Sequence, residues 1–261
     1  MDFIPENPKQ IKIFKIDNLL NSPPLGLSLG SAYAAIRKEI TPTYAKIHLE
    51  PLITLKNCLP FPLFMKIEGK RSENLKTIEQ VLETQEEVSL LEFSHDFRIK
   101  MTCQAGDFST NVYDLLPFDD KTNQNQTLFF THSNGLAPLN VQILVSQNRS
   151  YKYFISAKTL VINETGKALN FMAVHDSSTF ISPFKIPDQN GNELVLFTDI
   201  PALRILPKTE WSSQATPINL NQLGSFPIDI LDSNNRVMNF GVHIRNIHCG
   251  KLTYYKSFLM R

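Results

Sequence analysis

Residues 53–67 read ITLKNCLPFPLFMKI, an apolar run that is interrupted in its middle by Asn57 and by two prolines. A strand inside a sheet needs its backbone N–H groups for the hydrogen-bond ladder, and Pro60 and Pro62 have none. The segment must therefore bend, end or lie at a sheet edge at this point. The sequence predicts two apolar strands joined by a corner.

A second segment has the same arrangement. Residues 159–173, TLVINETGKALNFMA, align with residues 53–67 so that Asn163 falls under Asn57, at an offset of 106 residues. The apolar positions that agree in this alignment are Leu55 with Val161, Leu63 with Leu169, Met65 with Phe171, Ile47 with Tyr153 and Leu49 with Ile155. Each copy is predicted to be an alternating strand, an asparagine, a five-residue turn rich in Pro or Gly, and a second apolar strand.

The asparagine has a physical role at such a corner. Its side chain can accept a hydrogen bond from the backbone two residues on, which forms an Asx-turn. It can also satisfy strand-end backbone groups that the bend leaves unpaired, and an unpaired buried amide costs roughly 1–3 kcal/mol. We therefore interpret Asn57 and Asn163 as scaffold residues. A chance alignment of two Asn-containing turns is the alternative, because the identities are few.

The rest of the chain shows short β-type runs separated by turn residues. Residues 97–103, FRIKMTC, alternate apolar and polar side chains, which is typical of a strand with one solvated face. Residues 226–231 with 236–244, and residues 181–186 with 193–197, are predicted to form hairpins. The predicted fold class is all-β, with two tandem antiparallel β-sandwich repeats.

Two windows have a helical pattern instead. Residues 77–88, TIEQVLETQEEV, begin with a Thr-x-x-Gln capping pattern and place Ile78, Val81 and Leu82 on one side of a helix. Residues 31–40, SAYAAIRKEI, show a shorter version of the same pattern. Residues 118–127, FDDKTNQNQT, have no period and are predicted to be an exposed loop.

Composition and motifs exclude several function classes. A net charge of +1 gives no reason to expect nucleic acid or a membrane surface as a constitutive partner. Three widely spaced cysteines form neither a disulfide framework nor a zinc site, and reduced cytosolic thiols fit them best. No signal peptide and no apolar run long enough to span a membrane are present.

No catalytic, metal-binding or cofactor-binding site is predicted. Ser94, His95 and Asp96 are adjacent in sequence, and neighbouring residues on a strand point to opposite faces, so they cannot form a catalytic triad. Similarly, His243 and Cys249 would share a strand face while His248 points away. The chain is expected not to be an enzyme.

At the asparagine corner the sequence resembles a known family, the adaptor-binding (VAB) domain of the vacuolar protein sorting-associated protein 13 family of bridge-like lipid-transfer proteins. In that family each repeat carries an Asn after an apolar strand, followed by a Leu-Pro or Thr-Gly bend. The matching positions here are Asn57 with Leu59 and Pro60, and Asn163 with Thr165 and Gly166. In this interpretation residues 44–150 and 151–261 are two repeats, and residues 1–43 are a tail or part of a neighbouring repeat.

The resemblance implies a function. The domain is understood to recruit membrane-bound adaptors that carry a Pro-x-Pro motif, which would place this chain, as a fragment of a larger protein, in the cytoplasm at organelle membranes and contact sites. The expected mechanism is β-strand addition to a sheet edge, although the peptide-contacting residues cannot be assigned from sequence. Direct binding of lipid or carbohydrate by a β-sandwich is the alternative, supported by the 18 Phe residues.

Overall fold

The structure is a computed structural model, and every regular element that it describes is a β-strand. The prediction of an all-β fold is therefore confirmed. The described residues are 27–29, 32–93, 97–106, 108–115, 124–132, 135–145, 150–175, 178–181, 186–187, 193–197, 200–207, 217–231, 236–249 and 252–260. Ser94, His95 and Asp96 lie outside these residues, as do residues 118–123 of the predicted exposed loop. The loop prediction is wrong for residues 124–127, which belong to a strand that spans Gln124–His132.

The first three strands form a small antiparallel sheet of their own. They are β1 (Leu27–Leu29), β2 (Ala32–Ile40) and β3 (Ala45–Pro51), paired in the order β1-β2-β3. The helix predicted for residues 31–40 is wrong. Seven successive residues of β2 pair with β3, from Ala34 opposite Pro51 to Ile40 opposite Ala45, and this pairing outweighs the local helical pattern.

The next ten strands make up the first large sheet. Their order is β6-β5-β8-β9-β11-β12-β13-β4-β7, and β10 pairs with β8. The strands are β4 (Ile53–Asn57), β5 (Leu63–Arg71), β6 (Asn74–Leu82), β7 (Glu87–Leu90), β8 (Arg98–Ala105), β9 (Phe108–Thr110), β10 (Tyr113–Leu115), β11 (Gln124–His132), β12 (Gly135–Val145) and β13 (Tyr151–Ser156).

Alternation along the strands decides which side chains enter the core. On β8, Ile99, Met101 and Cys103 are buried while Arg98, Lys100 and Gln104 are exposed, as the sequence predicted. The helix predicted for residues 77–88 is wrong, because most of that window belongs to β6 and β7. Ile78 and Leu82 point inward on β6 with period two, and every residue of β6 pairs with β5.

The remaining strands form two further sheets. One has the order β17-β18-β14-β23-β22-β21 and the other has the order β16-β15-β19-β20. The strands are β14 (Thr159–Asn163), β15 (Leu169–His175), β16 (Ser178–Ile181), β17 (Ile186–Pro187), β18 (Glu193–Phe197), β19 (Ala202–Pro207), β20 (Ile218–Asn219), β21 (Gly224–Leu231), β22 (Val237–Cys249) and β23 (Leu252–Met260).

Of the two hairpins predicted in this region, one is confirmed and the other is only partly right. The hairpin of β21 with β22 is confirmed, since Gly224 lies opposite Ile244 and Leu231 opposite Val237. The hairpin predicted between residues 181–186 and 193–197 is only partly right. Ile186 and Pro187 do pair with β18, but Ile181 belongs to β16, which pairs with β15 in the other sheet.

Two buried apolar clusters form the cores. The larger contains side chains from β4, β5, β8 and β13, together with Leu160 of β14 and Leu194 and Leu196 of β18. The second contains side chains of both later sheets, among them Val161, Phe171 and Val242. β14 and β18 are therefore buried on both faces, with alternate residues entering each core.

Candidate functional site

Asn57 lies at the end of β4 and is fully buried, with 0% exposure. Its side-chain oxygen accepts a hydrogen bond from the backbone N–H of Leu59 at 2.9 Å, which is the hydrogen bond of an Asx-turn. Its Nδ2 donates to the carbonyl oxygens of Phe61, Leu82 and Glu83 at 2.8, 3.0 and 3.2 Å. One side chain therefore joins the turn between β4 and β5 to the turn between β6 and β7.

Asn163 lies at the equivalent end of β14 and is 3% exposed. Its side-chain oxygen accepts hydrogen bonds from the backbone N–H of Thr165 at 3.2 Å and from the Thr165 hydroxyl at 2.6 Å. Its Nδ2 donates to the carbonyl oxygen of Lys167 at 2.9 Å and to Oε2 of Glu193 at 3.0 Å. The contacts two and four residues ahead are thus the same at both corners.

The bends that follow the two asparagines differ in backbone conformation. Gly166 has a φ of +66°, in the left-handed region that favours glycine. Pro60 occupies the position 106 residues earlier, and its ring fixes φ at roughly −65°. The Leu59-Pro60 and Thr165-Gly166 bends therefore close the same kind of corner along different backbone paths.

The strands that pair with each asparagine strand are also arranged in the same way at the two corners. β13 runs parallel to β4 and places Ile155 opposite Asn57. β23 runs parallel to β14 and places Met260 opposite Asn163. In both cases the parallel partner comes from later in the chain, so each asparagine strand lies between a parallel and an antiparallel neighbour.

An apolar depression lies on the outer face of β5 and β6. Phe64 and Val81 are directly opposite each other across these strands, and they are 38% and 51% exposed. Together with Pro62, Gln104 and Gly106 they line an open depression of about 410 Å³. β6 is the last strand at this end of the sheet among the described residues. We call these five residues the β5–β6 patch.

Charged side chains near this patch are paired with one another. Lys66 follows Phe64 on the same face and lies 3.0 Å from Glu68 and 3.8 Å from Glu79. The hydrogen bond that Lys66 donates to Glu68, together with the charges of both carboxylates, raises the pKa of Lys66. The Gln104 side-chain amide donates to the carbonyl oxygen of Gly106 at 3.0 Å. The lining of the depression itself carries no charge.

Sequence reasoning did not find this patch. Residues 63–67, LFMKI, are apolar at Leu63, Phe64 and Met65, so alternation alone does not say which side faces the core. The structure places Leu63 and Met65 inside and Phe64 outside. The available signal was Val81, since the residues two positions away on either side, Glu79 and Glu83, are both charged. The helical interpretation of that window had instead placed Val81 on the apolar side of a helix.

The side chain of His243 on β22 contacts a serine of the neighbouring strand. Ser225 Oγ lies 2.6 Å from Nδ1 of His243 across β21 and β22. The described residues contain no group of three or more His, Cys, Asp or Glu side chains placed to hold a metal ion. They also contain no helix long and apolar enough to cross a membrane.

These observations describe an all-β domain in which a strand, an asparagine corner and a second strand recur. The family model of the adaptor-binding domain of vacuolar-sorting associated protein 13 matches residues 31–254. The chain belongs to this family. Membership implies interaction with adaptor proteins on behalf of a lipid-transfer protein at organelle contact sites, and the family is a non-catalytic interaction module. No curated protein matches the chain.

Proposed function

We propose that this chain binds Pro-x-Pro segments of membrane adaptors by β-strand addition to β6, with the prolines on the β5–β6 patch. The observation that carries this proposal is the exposed cross-strand pair of Phe64 and Val81 beside a strand at the end of its sheet. An added strand would continue the hydrogen-bond ladder of β6, and its alternate side chains would lie over the apolar depression.

The spacing of a Pro-x-Pro motif suits this mode. Along a strand both the backbone N–H directions and the side-chain directions alternate, so residues two apart are alike in both. Two prolines in that spacing therefore lack N–H groups on the same side, which can face away from β6, while the intervening residue pairs with it. Both rings then lie on one face. Proline also limits the conformational freedom lost on binding.

The uncharged lining favours an apolar motif over an acidic or basic one. Lys66, Glu68 and Glu79 already pair with one another beside the patch. A short motif held by one added strand and two shallow apolar contacts is expected to bind at micromolar affinity, roughly 8 kcal/mol. In this proposal the chain has no catalytic activity and reaches cytoplasmic faces of organelle membranes through the adaptor.

The test is peptide binding by matched variants of the full chain. Val81→Glu places a charge in the depression, and we expect the affinity for a labelled Pro-x-Pro peptide to fall at least about tenfold, as desolvating a charge requires. Leu75→Glu is the control, because Leu75 is 63% exposed on the same face of β6 and six residues away, roughly 20 Å along the strand. It should change affinity less than about twofold.

The proposal fails if the two variants behave alike while both remain folded, or if an Ala-x-Ala peptide binds as well as the Pro-x-Pro peptide. Flotation of the wild-type chain with liposomes that carry no adaptor distinguishes direct lipid binding. Enrichment with bare liposomes would favour that alternative.

We also propose that the chain contains two asparagine-hinged units, with Asn57, Leu59 and Pro60 marking one corner and Asn163, Thr165 and Gly166 the other. A boundary between residues 150 and 151 separates β13 from β12 and β4, its partners in the sheet. We therefore place the division of the folded units after Ser156, at the end of β13. Expression of residues 44–157 with and without β13 tests this boundary by thermal unfolding.

A further inference from the structure

We infer that the adaptor segment carries a basic residue two positions before its first proline, in the order basic-x-Pro-x-Pro, and that Glu79 of β6 selects this residue. The inference rests on the proposed addition of a Pro-x-Pro strand to β6, and it specifies the direction of that strand and one further side chain. Two features of β6 carry it, namely the directions of its backbone N–H groups and the charge beside the β5–β6 patch.

The hairpin between β5 and β6 fixes which backbone groups of β6 point away from β5. Arg71 pairs with Asn74 with two residues between them, and the pair that closes a two-residue hairpin is hydrogen-bonded, so the Asn74 N–H points toward β5. N–H directions alternate along a strand, and the pairing with β5 is regular over the whole of β6. The N–H groups that point away from β5 are therefore those of the odd-numbered residues, Leu75, Thr77, Glu79 and Val81.

These directions decide which way an added strand with prolines can run. In an antiparallel pair, the residue opposite Val81 shares its face and would have to exchange hydrogen bonds with it, which requires an N–H that proline lacks. In a parallel pair, Val81 bonds instead to the residues before and after the one opposite it. The opposite residue still shares the face of Val81, but its N–H direction points away from β6. Prolines over the β5–β6 patch therefore fit a strand that runs parallel to β6.

The depression sets where along β6 the prolines lie. Its lining includes Val81 and Pro62, and Pro62 comes just before Leu63, which pairs with Leu82 at the end of β6. One proline ring therefore lies opposite Val81, and the second lies two residues further, beside Pro62. In a parallel strand, the residue two positions before the first proline lies opposite Glu79 on the same face.

Glu79 favours a basic residue at that position. Its side chain is 54% exposed and lies 3.8 Å from Lys66, whose shorter contact, at 3.0 Å, is with Glu68. These three side chains carry two negative charges and one positive charge, which leaves one negative charge in excess beside the uncharged depression. An opposite charge directly across from Glu79 on the added strand is stabilising and a like charge is destabilising, by modest amounts because the groups are exposed. The site therefore selects lysine or arginine over an acidic residue.

The test compares two fluorescein-labelled peptides of identical composition, Lys-x-Pro-x-Pro and Pro-x-Pro-x-Lys, with alanine at every other position, added to the full chain. We expect the first peptide to bind about threefold more tightly than the second, as one exposed cross-strand charge pair allows. Raising the salt concentration from about 0.05 M to about 0.5 M should remove this difference, because salt screens exposed charges.

Variants of Glu79 then assign the preference to one side chain. Glu79→Gln should reduce it to less than about 1.5-fold without changing the affinity for Pro-x-Pro-x-Lys, and Glu79→Lys should favour Glu-x-Pro-x-Pro over Lys-x-Pro-x-Pro. Glu73→Gln is the matched control, because it removes the same charge from an exposed residue of the β5–β6 turn, six residues or roughly 20 Å away. The preference should persist in this control.

The inference is overturned if the two peptides bind equally, if Pro-x-Pro-x-Lys is preferred, or if the preference survives Glu79→Gln. Equal binding of both peptides, with Val81→Glu weakening both, would leave the β6 site in place and remove only the basic position. If neither peptide binds more tightly than one with alanine in place of both prolines, the proposed function itself fails.

Discussion

Asn163 donates a hydrogen bond from Nδ2 to the Glu193 carboxylate at 3.0 Å, where the equivalent Asn57 donates to backbone carbonyls instead. Glu193 is the first residue of β18 and lies directly opposite Asn163 across the sheet. The second corner therefore depends on a side chain that substitution can remove, whereas the first corner depends on the backbone.

Replacing Glu193 tests this difference. Glu193→Ala is expected to lower the free energy of unfolding by about 1.5–3 kcal/mol, the range for a hydrogen bond to a charged group. Glu193→Gln keeps an acceptor oxygen and should cost clearly less. Urea denaturation measures both variants. A double-mutant cycle with Asn163→Ala should show a coupling of at least about 0.5 kcal/mol. Additive effects would contradict a direct contribution of this contact.

Removing either asparagine should destabilise the chain, and Asn57 should matter more. Asn57→Ala leaves buried carbonyls and one backbone N–H without their partner, so we expect a loss of about 3 kcal/mol, compared with about 2 kcal/mol for Asn163→Ala or Asn163→Ser. Thermal unfolding measures this, and peptide binding should fall in parallel with stability. If binding disappeared while the melting temperature stayed unchanged, the asparagine would be a contact residue rather than a scaffold.

The left-handed bend at Gly166 predicts a strain cost. Gly166→Ala should lower the free energy of unfolding by about 1 kcal/mol, because φ is +66°. A Cβ atom there meets nothing within 4 Å, so the cost would come from the backbone alone. Gly241→Ala is the matched control, since that glycine also has open space but no positive φ. A loss of equal size at both positions, measured by urea denaturation, would contradict the strain argument.

The buried hydroxyl of Tyr113 predicts sensitivity to alkaline pH. Burial, with a further contribution from the Asp114 charge, raises the pKa of Tyr113 to about 12. The hydroxyl also has no hydrogen-bond partner among the residues that the structure describes. The folded-state pKa lies above the unfolded value of about 10, so the folded state holds the Tyr113 proton more tightly than the unfolded state does. The stability that depends on this protonated hydroxyl is therefore complete below pH 10 and is lost as pH rises toward 12.

Tyr113→Phe removes both effects. The variant should be as stable as the wild type or more stable by up to about 1 kcal/mol at pH 7. Its free energy of unfolding should also fall less steeply between pH 10 and 12 in urea titrations. Burial also raises the pKa of Tyr153. Tyr153 therefore contributes part of the pH dependence of stability in both the wild type and the variant. Equal slopes with and without the Tyr113 hydroxyl would contradict the assignment.

Sequence reasoning succeeded where one local rule and the tertiary environment agree. The period-two pattern of residues 97–103 was sufficient for β8, and the aligned strands before Asn57 and Asn163 have identical burial patterns along their five residues. It failed for residues 77–88, where a capping pattern and the three- and four-residue spacing of apolar side chains indicated a helix. Pairing with β5 makes most of this window a strand in spite of that local pattern. The edge position of β6 depends on which strands pair, and no local pattern carries that information.

The asparagine corners could be predicted because their main contacts are local, reaching only two and four residues ahead. The contacts from Asn57 to Leu82 and from Asn163 to Glu193 span 25 and 30 residues, and no local pattern identifies these partners. The β5–β6 patch had to be missed for the same reason, since Phe64 and Val81 come together only through the register of two strands.

The short connection from β13 to β14 has a consequence for how such a chain can lengthen or be cut. Only Ala157 and Lys158 separate a strand that completes one sheet from a strand that opens the next. Copying a block of 106 residues at this point would supply each new asparagine strand with its parallel partner and leave existing ladders intact. Protease cleavage a few residues earlier would instead leave one sheet incomplete and expose the neighbouring core.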